Sequence, residues 1–247
     1  MRLLVSFLLL VCAVVASQPV SGQKIIEKSG PLAKGQRLNL NLRQASNIRI
    51  RAGVDNKFTL KASVSINQNK LNDALLLTME QSGEEVKLSS GFDKEMLRNA
   101  QPSDCPSGSG VYYGDTYFTK GSKDARDRDG KSPNPVCATI DYEITVPADV
   151  VLRVNTISGD IDIAGLTGAI EAKSISGFVD VAWPASQGAE VSLKTITGEV
   201  YTDQDVIFNN RKENPIVGYQ LRGTLKGSGP LVKLESISND VYFRKRK

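Results

Sequence analysis

The sequence predicts an all-β protein, a single-stacked β-solenoid or β-strand-repeat array with antiparallel strands in its N-terminal part. Three observations predict it. The first is a recurring motif: T-I-S-G-D-I-D-I from Thr156, S-I-S-G-F-V-D-V from Ser174, T-I-T-G-E-V-Y-T from Thr195 and S-I-S-N-D-V-Y-F from Ser236, with a shorter L-T-G-A-I-E-A from Leu166. The second is strict alternation on both sides of each motif. Leu152 and Val154, Ile170 and Ala172, Val191 and Leu193, and Val232 and Leu234 precede the turns; Ile161 and Ile163, Val179 and Val181, and Val241 and Phe243 follow them. Period-2 patterning of this kind marks strands with one buried face. The third is composition: aromatics are 6% of the chain and glycines number 21, which suits thin stacks of small side chains.

The fourth motif position holds Gly159, Gly177, Gly198 and Asn239, with Gly168 in the shorter copy. Gly, and Asn after it, enters the left-handed region most readily, so a left-handed turn is expected there. Ile157, Ile175, Ile196 and Ile237 mark a unit of roughly 20 residues, too small to bury its own apolar face, so the copies must stack. An antiparallel sandwich of similar hairpins is the competing architecture.

Residues 1–22 read as a secretory signal: Arg2, an apolar run over residues 3–16, then small and polar residues to Gly22. Cleavage is expected after Gly22 or near Ala16. Val11 is a poor residue before a lipidated Cys12, and the apolar run continues past it. No later stretch is long and apolar enough to cross a membrane.

Residues 23–92 form an N-terminal β-strand region. Leu38, Leu40 and Leu42, then Ile48 and Ile50, then Phe58, Leu60, Ala62, Val64 and Ile66 alternate with polar residues. Their polar faces carry Arg43, Arg49, Arg51, Lys57 and Lys61, read as a solvated face. Leu75–Gln81 and residues 84–89 read as a hairpin about Ser82-Gly83, with Asn72-Asp73-Ala74 open to a helical turn.

Residues 93–137 break the pattern as a long polar loop. Cys105 and Cys137, the cysteines left after signal removal, are expected to pair in an oxidising compartment. Tyr112, Tyr113, Tyr117 and Phe118 are the densest aromatic cluster and candidate binding-loop residues, able to stack on sugar rings or anchor a protein. Asp115, Asp124, Asp127 and Asp129 carry oxygen ligands, but Ala125 breaks the EF-hand spacing and four nearby cations oppose calcium. No metal site and no cofactor is expected. In residues 138–247, the β-strand-repeat region, turn signals interrupt the pattern over residues 206–229, and Tyr219, Leu221 and Leu225 suggest a further strand pair.

The net charge of +4 is too small to argue for nucleic acid, and no recognition motif accompanies it. The absence of histidine excludes a Ser-His-Asp triad and a His-bearing zinc site. In register, Asp162 and Asp180 would be neighbours, with Asp160 near, forming a surface acidic ladder. A carbohydrate-active β-helix enzyme would need such carboxylates; otherwise they keep the surface soluble.

The motifs T-I-S-G-D-I-D-I, K-S-I-S-G-F-V-D-V and K-T-I-T-G-E-V-Y-T, with the lead-in I-D-Y-E-I-T-V-P-A-D-V-V-L-R-V from Ile140, resemble the family of bacterial secreted β-strand-repeat proteins called putative adhesins, a domain of unknown function. The resemblance spans residues 140–243 and, more weakly, residues 37–66. It implies an exported, all-β, solenoid-like domain without catalytic residues to carry over. The leading expectation is therefore a non-catalytic envelope module, periplasmic or at the cell surface, meeting an envelope polymer, glycan or surface protein and no nucleic acid. The rival is the carbohydrate-active enzyme.

Overall fold

The computed structural model describes residues 22–106, 110–113, 116–119, 136–210 and 218–246. Residues 1–21 of the expected signal lie outside the described residues, as do residues 107–109, 114–115 and 120–135 of the long polar loop with Asp115, Asp124, Asp127 and Asp129. The strands are β1 (Lys24–Pro31), β2 (Arg37–Asn41), β3 (Asn47–Gly53), β4 (Lys57–Ile66), β5 (Leu75–Gln81), β6 (Glu85–Phe92), β7 (Gly110–Tyr113), β8 (Thr116–Thr119), β9 (Ala138–Pro147) and β10 (Val151–Thr156). They continue as β11 (Asp160–Ala164), β12 (Ile170–Ser174), β13 (Val179–Trp183), β14 (Ala189–Thr195), β15 (Val200–Thr202), β16 (Ile207–Phe208), β17 (Tyr219–Leu225), β18 (Leu231–Ser236) and β19 (Val241–Lys245). A one-turn helix spans Lys94–Leu97, and short 3-10 turns lie at Asn72–Ala74 and Pro102–Asp104.

Two mixed sheets result. One has the order β1-β4-β9-β3-β11-β13-β19-β15; the other β16-β17-β14-β18-β12-β10-β2-β6-β5. Each motif is an arch rather than a hairpin: its first strand lies in the nine-stranded sheet and its second in the eight-stranded sheet. Physically this follows from the apolar rows before and after the turn, which bury against each other only if the chain crosses between facing sheets. Leu152, Val154, Ile161, Ile163, Ile170, Ala172, Val179 and Val181 accordingly fill the core.

The arches stack in parallel register. Leu152 lies beside Ile170, Ile170 beside Val232, and Val191 beside Val232. On the other sheet Ile161 lies beside Val179, and Val179 beside Val241. Two features correct the expectation of a single-stacked solenoid. The copy at Ser236 sits between those at Ser174 and Thr195, so the chain does not coil upward one layer at a time. The sheets also stay open and carry antiparallel strands at both ends, β1-β4-β9 and β5-β6 at one, β16-β17-β14 at the other.

The β2–β3 segment is a further arch beneath the first motif, with Leu38 beside Leu152 and Ile48 beside Ile161. Strands from residues 23–92 and 138–247 thus share both sheets. Ser82 closes the β5–β6 hairpin through its N–H to Glu85 O at 2.8 Å. The single tryptophan, Trp183, is fully buried beside Phe243.

The motif glycines are not in the left-handed region; among the described glycines positive φ occurs at Gly35, Gly165, Gly218 and Gly227, and Asn239 is likewise not left-handed. Close approach is what requires glycine. A Cβ on Gly177 would lie 2.1 Å from Gly159 O, on Gly168 2.1 Å from Val150 O, and on Gly198 2.2 Å from Asn239 O. Corner backbones of successive layers pass too near for a side chain. Asn239 instead folds its Oδ1 back onto Asp240 N at 2.8 Å.

Candidate functional site

The eight-stranded sheet turns its polar side chains outward because the alternate positions are committed to the core. Register then assembles one lateral row across all its strands: Glu27, Lys61, Glu143, Arg49, Asp162, Asp180, Tyr242 and Tyr201. At about 4.8 Å per strand the row runs about 34 Å. A shallow groove of about 440 Å³ lies over its first part, lined by residues including Glu27, Lys61 and Glu143.

Asp162 and Asp180 are direct register partners. Each is held by an arginine from a neighbouring row. Arg51 grips Asp162 in bidentate fashion, Nη2 to Oδ2 at 2.5 Å and Nη1 to Oδ1 at 3.1 Å. Arg244 does the same to Asp180, its Nε donating to Oδ1 at 2.9 Å and its Nη2 to Oδ2. Asp180 is only 8% exposed. Burial raises its carboxyl above the ordinary carboxylate value, and the Arg244 hydrogen bond offsets part of that rise.

Asp160 lies in a different row. Its Oδ1 accepts from Phe178 N, one layer on, at 3.0 Å. Burial raises its carboxyl too, against the lowering effect of that N–H. Asp240 repeats the arrangement, accepting from Glu199 N at 2.9 Å. Asp160 and Asp240, each just after the corner residue of its copy, are thus layer-to-layer acceptors, and the structure does not bring Asp160 into one cluster with Asp162 and Asp180.

The far end of the row is aromatic. Tyr201 stacks on Tyr242 with ring centroids 5.1 Å apart and planes 13° apart. Phe178 meets Tyr242 edge-on at 6.1 Å, and Arg244 Cζ lies 5.9 Å from the Tyr242 ring centre. Tyr242 donates its hydroxyl to Asp240 Oδ2 at 2.9 Å, which raises its phenol above the usual value. Tyr201 remains 49% exposed, on the sheet's last strand. Tyr201 and Tyr242 occupy the motif position that holds Asp162 and Asp180 in the earlier copies, so the aromatic end was readable as position but not as partnership.

The opposite face, on the nine-stranded sheet, carries cations bridged by single glutamates. Glu171 accepts from Lys233 at 2.8 Å with Arg153 at 3.6 Å, and Glu235 lies between Lys173 at 3.1 Å and Lys194 at 3.4 Å. The Lys233 hydrogen bond holds the Glu171 carboxyl below its ordinary value.

The sequence reading missed the first motif position. The hydroxyls of Ser174, Thr195 and Ser236 are buried at the corners. Ser174 Oγ accepts from Gly177 N and donates to Gly159 O, both at 2.9 Å. Ser236 and Thr195 repeat this with Asn239 N and Gly177 O, and with Gly198 N and Asn239 O. The recurrence of Ser or Thr three residues before the turn glycine was the available signal.

Cys105 and Cys137 form a disulfide with Cα atoms 5.5 Å apart. Beside it Asp104 is gripped by Lys70 Nζ at 2.5 Å and accepts from Gln101 N at 3.0 Å. The strands bearing Tyr112, Tyr113, Tyr117 and Phe118 pair as a small antiparallel hairpin, Tyr112 opposite Tyr117; their side chains lie outside the described residues. Among the described residues no group of three His, Cys, Asp or Glu is placed to hold a metal ion, and no helix is long and apolar enough to cross a membrane.

No family model matches the sequence, and no curated protein matches it. The fold is similar to a solved structure from Clostridium sporogenes described as a "putative cell adhesion protein", with TM-score 0.50 and 10% identity over 91% of this chain and 100% of that one. A "putative adhesin" from Bacteroides fragilis aligns over 89% of this chain and 96% of its own, at 13% identity and TM-score 0.22. At these identities the first likeness is one of fold, and the second supports no comparison.

Proposed function

We propose that the protein is an exported, non-catalytic interaction module of the cell envelope, adhesin-like in role, which meets an extended envelope polymer, such as a glycan, along the outer face of its eight-stranded sheet. The observation that carries this reading is the uninterrupted row from Glu27 to Tyr201, ending in the half-exposed tyrosine stack. An aromatic ring offers an apolar face to a sugar, and the charged groups beside it fix orientation. The disulfide fits an oxidising, exported setting.

The non-enzymatic reading draws on the same geometry. A glycosidase needs one carboxyl free to donate a proton and another free to attack or to activate water. Here the oxygens of Asp162 and Asp180 are engaged by Arg51 and Arg244. Incubation with isolated envelope polysaccharides separates the alternatives. The expected result is retention of the polymer without new reducing ends, weakened by Tyr201→Ala. Release of reducing ends that Asp162→Asn abolishes would establish the enzyme instead. Protease accessibility in intact and permeabilised cells distinguishes the outer surface from the periplasm.

A further inference from the structure

We infer that β5 is a self-pairing edge through which two copies of this chain join antiparallel about a two-fold axis. Open sheet edges template association unless they are short, charged, broken or capped. Three of the four edges of the two large sheets are protected. β16 has two residues and β15 three. The outward Val200 N–H on β15 donates to Tyr219 Oη at 2.6 Å, so a side chain from the other sheet caps that edge. β1 exposes Glu27 and Lys28 and ends in Gly30-Pro31.

Among the described residues, β5 has none of these devices. It runs seven residues, L-L-L-T-M-E-Q, without Gly, Pro or a basic residue. Its single charge, Glu80, is neutralised by Lys87 on β6 at 3.2 Å. Leu76 and Met79 are 46% and 43% exposed. The hydrogen bonds from Asp93 N to Ala74 O and from Ser82 N to Glu85 O set the phase of the β5–β6 ladder. Even-numbered residues therefore bond to β6, while Leu75, Leu77, Met79 and Gln81 aim N–H and C=O off the sheet.

The strand is self-complementary, which selects a second copy as the occupant. A two-fold axis through Thr78 sets Leu77 opposite Met79, Leu76 opposite Glu80, and Leu75 opposite Gln81 of the other copy. No like charges meet, Leu77 and Met79 pair on the core side, and about eight backbone hydrogen bonds form. The two nine-stranded sheets become continuous, leaving the Glu27-to-Tyr201 row of each copy on its own sheet.

Sedimentation of the mature, disulfide-intact protein from micromolar to millimolar concentration tests this. A concentration-dependent dimer is expected, with Thr78→Cys giving a disulfide-linked dimer on non-reducing gels. Met79→Pro removes an outward N–H and leaves the β5–β6 ladder intact, so it should abolish the dimer while the circular dichroism spectrum is kept. Met79→Lys gives the same readout by charge, without the backbone constraint of proline. A monomer at all concentrations, or a dimer that survives Met79→Lys while the Thr78→Cys variant fails to cross-link, would overturn the assignment.

Discussion

Replacing Gly177 with alanine tests how the arches hold together. The added Cβ would lie 2.1 Å from Gly159 O, 2.5 Å from Gly159 C and 2.8 Å from Asp160 N. All three atoms are backbone, so nothing can rotate out of the way. Ordinary contact begins at 3.4 Å, and reaching it means parting the two layers at this corner by about 1 Å. The hydrogen bonds that cross that gap include Ser176 N to Ile157 O and Ser174 Oγ to Gly159 O, each 2.9 Å long. Losing them costs about 1 kcal/mol apiece, and overpacking adds about 1–3 kcal/mol. The expected destabilisation is about 3–5 kcal/mol, a fall in Tm of about 10 °C for a domain of this size.

Trp183 is the single tryptophan and is fully buried, so its fluorescence reports denaturant unfolding directly. Gly91→Ala is the control: nothing lies within 4 Å of its Cβ position, and the substitution should be neutral or stabilising by about 0.4–1 kcal/mol. Gly177→Asn discriminates between two reasons for glycine. If left-handed φ were the requirement, Asn would be milder than Ala. If close approach is the requirement, Asn is at least as damaging. A Gly177→Ala protein within about 1 kcal/mol of wild type, well short of the overpacking cost, or an Asn variant clearly more stable than the Ala variant, would refute the stacked-corner argument.

Other perturbations follow from single contacts. Ser174→Ala leaves Gly177 N and Gly159 O without their buried hydroxyl partner and should cost about 1–3 kcal/mol in the same unfolding assay. Asp104 is held below its usual 3.8, first by the Lys70 hydrogen bond and then by Gln101 N. Its ionised form is favoured in the fold, so this stability is present above pH 3.8 and is lost as pH falls through the depressed folded value. The stability gap between wild type and Asp104→Asn should therefore be full at pH 7 and should shrink steadily below pH 3.8. Reduction of Cys105–Cys137, which closes a separation of 32 residues, should lower stability by about 4 kcal/mol on the chain-entropy account. An unchanged midpoint in reductant would show that the loop ends are held by other contacts.

What the sequence could and could not disclose divides along the range of the forces involved. Alternation is a one-residue property, so Leu152, Val154, Ile161 and Ile163 announce their buried faces directly, and the Gly or Asn at each corner announces a turn. Which sheet each strand joins is not local. The same alternation serves a hairpin or an arch, and only packing between facing sheets selects the arch. Layer order is less legible still. The copies at Ser174, Thr195 and Ser236 offer nearly equivalent apolar rows, so neighbours can exchange at little cost in burial. Contacts outside the repeat then distinguish them. β14 pairs with antiparallel β17 on its outer side, and the Tyr219 hydroxyl of β17 caps β15. The segment over residues 206–229 that breaks the pattern thus supplies the partner that holds the Thr195 copy at the end of the stack, leaving the slot beside the Ser174 copy for the last arch. The candidate face divides in the same way. Asp162 beside Asp180 follows from stacking alone, whereas Arg51 and Arg244 reach them from the next row, one position beyond the end of the eight-residue motif. A repeat places like positions side by side; what those positions then do depends on side chains drawn from outside it.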